Sequence, residues 1–158
     1  MTIAETVSSP KSCVDQRSMK QVTLISCVGK KLDRSAPAKD LYASPWFAKA
    51  RRYAEAMGGP WFILSAEFGL VQPDRVIPPY DRTLNRMSAT DRKIWAARVS
   101  TRMTQVMPVA GRVVVLAGER YREYLMDYLR SHHAVVDVPM KGMRIGEQLQ
   151  WLNKRCSP

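Results

Sequence analysis

The sequence predicts a single α/β domain: a mainly parallel four-stranded sheet with helices on both faces. Three observations carry that expectation. Strand-like and helix-like patterns alternate four times along the chain, the order produced by successive β-α units. Two of the strand segments, Trp61 to Ser65 and Arg112 to Ala117, are short continuous apolar runs, as expected of strands covered on both sides. The loops richest in charge and glycine follow strands, and open parallel sheets bind ligands beyond their strand C-termini.

Residues 1–19 are polar and aperiodic and read as a disordered leader, with Met19 available as a later start; the domain is expected over 20–156. Gln21 to Cys27 (QVTLISC) alternates and then runs apolar with β-branched residues, a first buried strand. After a loop, Ser44-Pro45 supplies an N-cap with proline at the first helical position. Phe47, Ala50, Tyr53 or Ala54 and Met57 then share one face of a helix that Gly58-Gly59-Pro60 stops. The second strand, Trp61 to Ser65, runs into a long loop. A second helix starts near Ser88 and carries Ile94, Trp95, Val99 and Met103 to about Met107, with Arg92, Lys93, Arg98 and Arg102 on its other side. Arg112 to Ala117 is the third strand and Arg120 to Arg130 a third helix, whose Tyr121, Tyr124, Leu125, Tyr128 and Leu129 have core-lining spacing. A fourth strand, Ala134 to Val138, and a last helix, about Ile145 to Lys154, complete the domain.

At 158 residues and 46% hydrophobic content the chain has the size and composition of one folded domain. No apolar run approaches bilayer-spanning length and no signal-peptide pattern opens the chain, so no membrane partner and a cytoplasmic location are expected. Cys13, Cys27 and Cys156 are widely spaced without a CxxC, and the two histidines, His132 and His133, are adjacent. That pattern fits neither a disulfide framework nor a zinc site, and no metal or cofactor is expected. Cys27, at a strand end, is the thiol placed near the candidate site, and a catalytic role for it would need a nearby base.

Charge points to the partner. Lys and Arg number 25 against 14 acidic residues, a net charge of +11 with a pI near 10, and most of the cations are arginine. Such a field attracts polyanions, and the guanidinium fork matches phosphate, so DNA or another nucleic acid is the expected partner.

Four loops converge beyond the strand ends: Cys27 to Tyr42, Ser65 to Leu84, Gly118 to Tyr121 and Pro139 to Gly146. The second is stiffened by Pro73, Pro78 and Pro79. Together they bring Lys30, Lys31, Asp33, Asp40, Tyr42, Ser65, Glu67, Asp74, Tyr80, Asp81, Arg120 and Lys141 to one region. The chain lacks the spacing GxxxxGK[ST], a GxGxxG and a GxSxG elbow, which argues against an NTPase, a dinucleotide enzyme and a Ser65-nucleophile hydrolase. Carboxylates to activate water, tyrosines to stack on a base and cations to hold phosphate suit chemistry on a nucleotide or nucleobase. A base in duplex DNA would have to be flipped into such a pocket.

The blocks LISCVGKKLD, APAKDLYASPWFAKARRYAE, FILSAEFGLVQPDRVIPPYDRTL and VPMKGMRIGEQLQWL resemble a family of small bacterial and phage domains of unknown function. In that family LSAKHGLLDPD, PYD and a C-terminal glycine-containing block recur. The middle block is also distantly similar to the peroxide-stress YaaA family, which is associated with DNA binding and protection against oxidative damage. The order of strands and loops is similar to uracil-DNA-glycosylase-like folds, which implies a three-layer sandwich whose first and last loops clasp a flipped base. The resemblance carries over Ser26, Lys30, Lys31, Tyr42, Ser65, Gly69, Asp74, Tyr80, Asp81, Gly118 and Gly142. The chain departs at Glu67-Phe68, where a basic residue and a histidine are common, which lowers Glu67 as a catalytic residue, and it has no GQDPYH loop.

The expected function is a nucleic-acid-directed, base-processing enzyme of the DNA N-glycosylase type, acting on a modified or damaged base. Asp81, Asp74 and Ser65 would carry the chemistry, with a carboxylate orienting water or stabilising an oxocarbenium-like sugar. Tyr42 and Tyr80 would hold the base, Lys30, Lys31 and Arg120 the phosphate, and Ser26, Asp40, Lys141 and Gly142 would complete the binding surface. Two alternatives stand beside it: a non-catalytic, YaaA-like DNA-binding protein, and an enzyme acting on a free nucleotide or phosphosugar.

Overall fold

The computed structural model describes residues 20–27 and 29–156; the expected leader, with Cys13 and Met19, lies outside them, as do Val28 and the last two residues. At the centre is β1 (Gln21–Ser26), which pairs in parallel with β3 (Trp61–Ser65) on one side and β6 (Arg112–Leu116) on the other. Its register sets Ile25 against Ile63 and Leu24 against Val115. A further parallel strand, β7 (Val135–Asp137), lies beyond β6.

Among the described residues the sheet has five strands, not four. The chain turns over Ala66 to Phe68 and folds back as an antiparallel edge strand, β4 (Gly69–Val71), giving the order β4-β3-β1-β6-β7. Its three residues are too short to show an alternating pattern, and glycine at the first of them reads as a turn.

The crossovers set the layers. From β1 the chain passes through α2 (Pro45–Met57) to β3, and from β3 through α3 (Ala89–Val106) back across β1 to β6. Right-handed connections running in opposite directions put their helices on opposite faces. α6 (Ile145–Cys156) joins α2: the Trp46 indole donates to Gln148 Oε1 at 2.8 Å, and the Tyr53 and Trp151 rings lie 5.3 Å apart. α2 begins as its sequence predicts, with Ser44 Oγ accepting from the Phe47 amide at 3.1 Å.

On the other face α3 is capped in the same way by Ser88, whose hydroxyl accepts from the Asp91 amide at 3.1 Å. Its buried stripe is Arg92, Trp95, Ala96, Val99 and Met103, whereas Ile94 is exposed. Arg92 is therefore a core residue rather than part of the solvated arginine face. Its guanidinium meets the Glu123 carboxylate at 2.7 Å.

The expected helix from Arg120 to Arg130 is two short ones, α4 (Glu119–Arg122) and α5 (Met126–His132). Between them the Leu125 amide bonds back three residues, to Arg122 O at 2.9 Å, and the regular four-residue bond resumes from Leu129 to Leu125 O. Tyr121, Leu125 and Leu129 are all buried, so the apolar spacing continues across the break and hides it from a sequence reading.

Phe47, Leu24, Ile25, Ile63, Leu64 and Leu116 are fully buried between the layers. Burying such a side chain contributes about 1.5–3 kcal/mol. The entry to β3 is held by a closer constraint. Gly59 has φ +79°, and a Cβ there would lie 2.5 Å from the Gln21 carbonyl oxygen; Gly58, with φ +77°, has open space around it. Gly58→Ala should thus pay only the penalty of its own backbone, φ +77° with ψ 174°, a region that favours glycine, about 1–3 kcal/mol. Gly59→Ala should cost about 1–3 kcal/mol more, because the start of β1 must also move. Equal unfolding midpoints in denaturant for the two variants would contradict this account.

Candidate functional site

Two of the converging loops are tied together by backbone. A ribbon pairs β2 (Ala36–Pro37) with β5 (Val76–Ile77), and the amides of Ala38 and Lys39 donate to Arg75 O and Pro73 O at 2.8 and 2.9 Å. The short helix α1 (Ala38–Leu41) follows, and the chain returns alongside itself, with Ala43 N donating to Lys30 O and Leu32 N to Leu41 O. Tyr42 is thereby driven into the core beneath the second loop.

There it joins a chain of hydroxyls. Ser65 Oγ donates to the Tyr80 hydroxyl at 2.8 Å, the Tyr42 and Tyr80 hydroxyls are 2.7 Å apart, and the Phe68 amide donates to Ser65 Oγ at 3.0 Å. The Trp95 indole holds the Ser65 carbonyl at 2.9 Å. Lys31 Nζ lies 4.4 Å from the centre of the Tyr80 ring and 5.7 Å from that of Tyr42, a cation over two π faces. The hydroxyl chain locks the proline-stiffened loop onto the sheet.

Beside it opens a cleft of about 250 Å³. It lies between β1 and β6, neighbours whose connections leave in opposite directions, which is where open α/β sheets bind ligands. Ser26, Cys27 and Gly29 border it from the first strand, Thr83 and Asn85 from the long loop, and Gly118 to Tyr121 from α4 and the residue before it. Cys27 is only 7% exposed, and its thiol donates to the Tyr121 hydroxyl at 3.5 Å. That same hydroxyl accepts from the Leu84 amide at 3.3 Å and lies 3.4 Å from Thr83 Oγ1, so Tyr121 pins the long loop against β1. A second cavity, of about 170 Å³, shares Gly118 and Glu119 and continues to Met140, Gly142 and Gln148.

The structure brings together part of the expected site. Ser65, Tyr42, Tyr80 and Lys31 form the hydroxyl cluster, Ser26 and Arg120 line the cleft, and Gly142 reaches its continuation. Lys30 and Lys141 are exposed. Three carboxylates lie elsewhere: Asp81 is 97% exposed, 4.0 Å from Arg86; Asp74 is 83% exposed, paired with Lys39 at 2.6 Å; Asp40 pairs with Arg51 at 2.7 Å. The carboxylate that lines the cleft is Glu119. Sequence reasoning selects its neighbour Arg120 and passes over Glu119, Thr83 and Asn85. Its position directly after a strand-ending glycine is the one signal that favoured Glu119.

The hydroxyl cluster resists ionisation. Burial, and then the nearby Cys27 sulfur, push Tyr42, Tyr80 and Tyr121 above the ordinary tyrosine range. A group whose folded pKa is raised keeps its full stability contribution below its unfolded pKa, about 10 for tyrosine, and loses it as pH rises beyond. The fold should therefore weaken progressively above about pH 10, and these tyrosines should ionise only as it unfolds. Tyrosinate absorbance followed alongside circular dichroism checks this; complete tyrosine ionisation in a chain that keeps its far-ultraviolet spectrum would contradict it.

Among the described residues, no group of three or more His, Cys, Asp or Glu is arranged to hold a metal ion, and no helix is long and apolar enough to cross a membrane. Comparison with known proteins places the chain beside others of its kind. The profile of a family described as a family of unknown function, DUF6884, matches residues 22–154. The uncharacterized protein YfjM of Bacillus subtilis (strain 168) is 30% identical over 146 residues, covering 86% of this chain and 95% of that protein. No solved structure matches.

Proposed function

The chain belongs to the DUF6884 family of unknown function, and from that premise we propose that it is a nucleic-acid-directed, base-processing hydrolase of the N-glycosylase type. The observation that carries this reading is the cleft between β1 and β6, where hydroxyls, an amide, a carboxylate and a guanidinium border one open hollow. A nucleobase drawn out of its stack would enter it, with the Asn85 amide and Thr83 hydroxyl available to its polar edge. Arg120 at the rim, with Lys30 nearby in chain order to Gly29, would hold the flanking phosphates.

In the reaction, the bond between the sugar C1′ and the base nitrogen breaks and its electron pair leaves with the base, which takes a proton from solvent. Water bonds to C1′ and passes its proton to the Glu119 carboxylate, whose charge also stabilises the cationic sugar in the transition state. Glu119 takes this role rather than Asp74 or Asp81 because it borders the cleft, whereas Asp74 is held by Lys39 and Asp81 lies beside Arg86, and neither lines it. Ser65, through Tyr80, holds the loop that carries Thr83 and Asn85. Incubation with DNA carrying uracil or other modified bases, scored for abasic sites, tests the reading. Release of a base supports it; no release from any substrate in the panel overturns it.

A second reading, non-catalytic DNA binding, is favoured by the net charge of +11 and the exposed arginines of α3. It expects binding that weakens steeply with salt and shows little sequence preference. Salt-dependent binding without base release would select it.

A further inference from the structure

On the α3 face, away from the cleft, a depression of about 420 Å³ is lined by Phe68, Gly69, Leu70, Arg75, Arg98 and Arg102. Among the described residues, three guanidinium groups border it and no carboxylate does. Arg98 and Arg102 are four residues apart on α3, hence on one face and about 6 Å apart along the axis. Arg75 comes from the long loop; its backbone is fixed by the Ala38 amide, and its guanidinium lies 5.5 Å from the Phe68 ring. Among the described residues none of these three arginines is within ion-pair distance of a carboxylate, unlike Arg51, Arg92 and Arg112. Arg102 has a weak neutral contact, to Gln105 Oε1 at 3.3 Å. Gathering three cations without counter-charges costs repulsion that an anionic ligand would relieve.

A second hollow on the same face reaches the long loop that borders the cleft. Arg98 also lines an adjoining hollow of about 220 Å³, together with Arg82, which is followed in the chain by Thr83 of the cleft. That hollow is less purely cationic: Asp91 lines it, and Arg82 is 3.4 Å from Glu67. It extends the arginine depression to Arg82 of the long loop.

We propose that Arg75, Arg98 and Arg102 form a phosphodiester track, gripping successive phosphates of the nucleic-acid strand whose base occupies the cleft. This assignment rests on the nucleic-acid reading above and adds the path the strand takes, over the β4 edge and along α3.

The test is fluorescence anisotropy of a labelled oligonucleotide across a series of salt concentrations, with circular dichroism to confirm folding. The comparison is between wild type, Arg98→Ala/Arg102→Ala, and Lys154→Ala on α6, on the opposite face. Each lost phosphate contact lowers the slope of log affinity against log salt by about 0.7 for single strands or 0.9 for duplex. The double variant should therefore show a slope shallower by about 1–2 and weaker binding at low salt, with Lys154→Ala unchanged. If wild type binds no oligonucleotide, the nucleic-acid reading itself fails. If wild type binds and the double variant keeps the full slope while Lys30→Ala/Arg120→Ala loses it, that reading stands and the track is wrong. Inorganic phosphate alone distinguishes the other source of the same chemistry. Should it raise the melting temperature of wild type as much as the oligonucleotide does, and not that of the double variant, the depression holds a free anion and the track is overturned.

Discussion

Glu123→Ala is expected to destabilise the fold by about 3–5 kcal/mol, more than Arg92→Leu does. The two side chains meet at 2.7 Å, but their surroundings differ: Arg92 is 8% exposed and Glu123 is 26% exposed. Removing Glu123 strands a guanidinium that is nine-tenths buried, with only the Met87 carbonyl left as a hydrogen-bond acceptor. Removing Arg92 leaves a carboxylate that water can partly reach, and leucine refills the apolar stripe beside Trp95, so about 1–3 kcal/mol is expected. The double variant Arg92→Leu/Glu123→Ala should recover much of the Glu123→Ala loss, because it removes the stranded charge together with its partner. Denaturant unfolding of the three proteins decides the matter; strictly additive losses would show that the pair is not coupled. The pair also matters to the site, since Glu123 follows directly on α4, the helix that carries Glu119, Arg120 and Tyr121.

The parallel strands were legible from their apolar, β-branched runs, and the helix from Pro45 to Met57 from its apolar spacing and its Ser44 cap. What escaped were features decided by contacts between distant residues. β4 is a three-residue edge strand, visible only once β3 is present to pair with it. Arg92 looks like one more solvated arginine of α3 until Glu123, 31 residues later, is placed opposite it. The converging loops meet in part at the cleft and its continuation, and burial sorts their residues differently. Tyr80 and Asp81 are adjacent in a proline-led stretch outside any strand or helix. The tyrosine turns inward to Ser65 and the aspartate outward to 97% exposure. Chemical type alone ranked them together; their burial separates them.

That separation sets up the largest expected effect on activity. Glu119→Gln should lower the rate of base release by roughly 10²–10⁴-fold, the usual contribution of a positioned acid or base, while changing oligonucleotide affinity little. Glutamine keeps the size of the side chain and one acceptor oxygen, but it can neither take the proton from attacking water nor offset the positive charge of the sugar. Because charge stabilisation is needed mainly in the transition state, the loss should fall on kcat rather than KM. Asp81→Asn, at a fully solvated position, should stay within about twofold of wild type, since exposed charge at a distance is heavily screened. Single-turnover release and anisotropy, measured on the same preparations, separate chemistry from binding. A dead Asp81→Asn beside an active Glu119→Gln would move the chemistry out of the cleft and onto the outer rim of the proline-rich loop. The reverse pattern would place the catalytic carboxylate in the crevice between β1 and β6, where the sheet reverses its connections and α4 presents Glu119 beside Arg120.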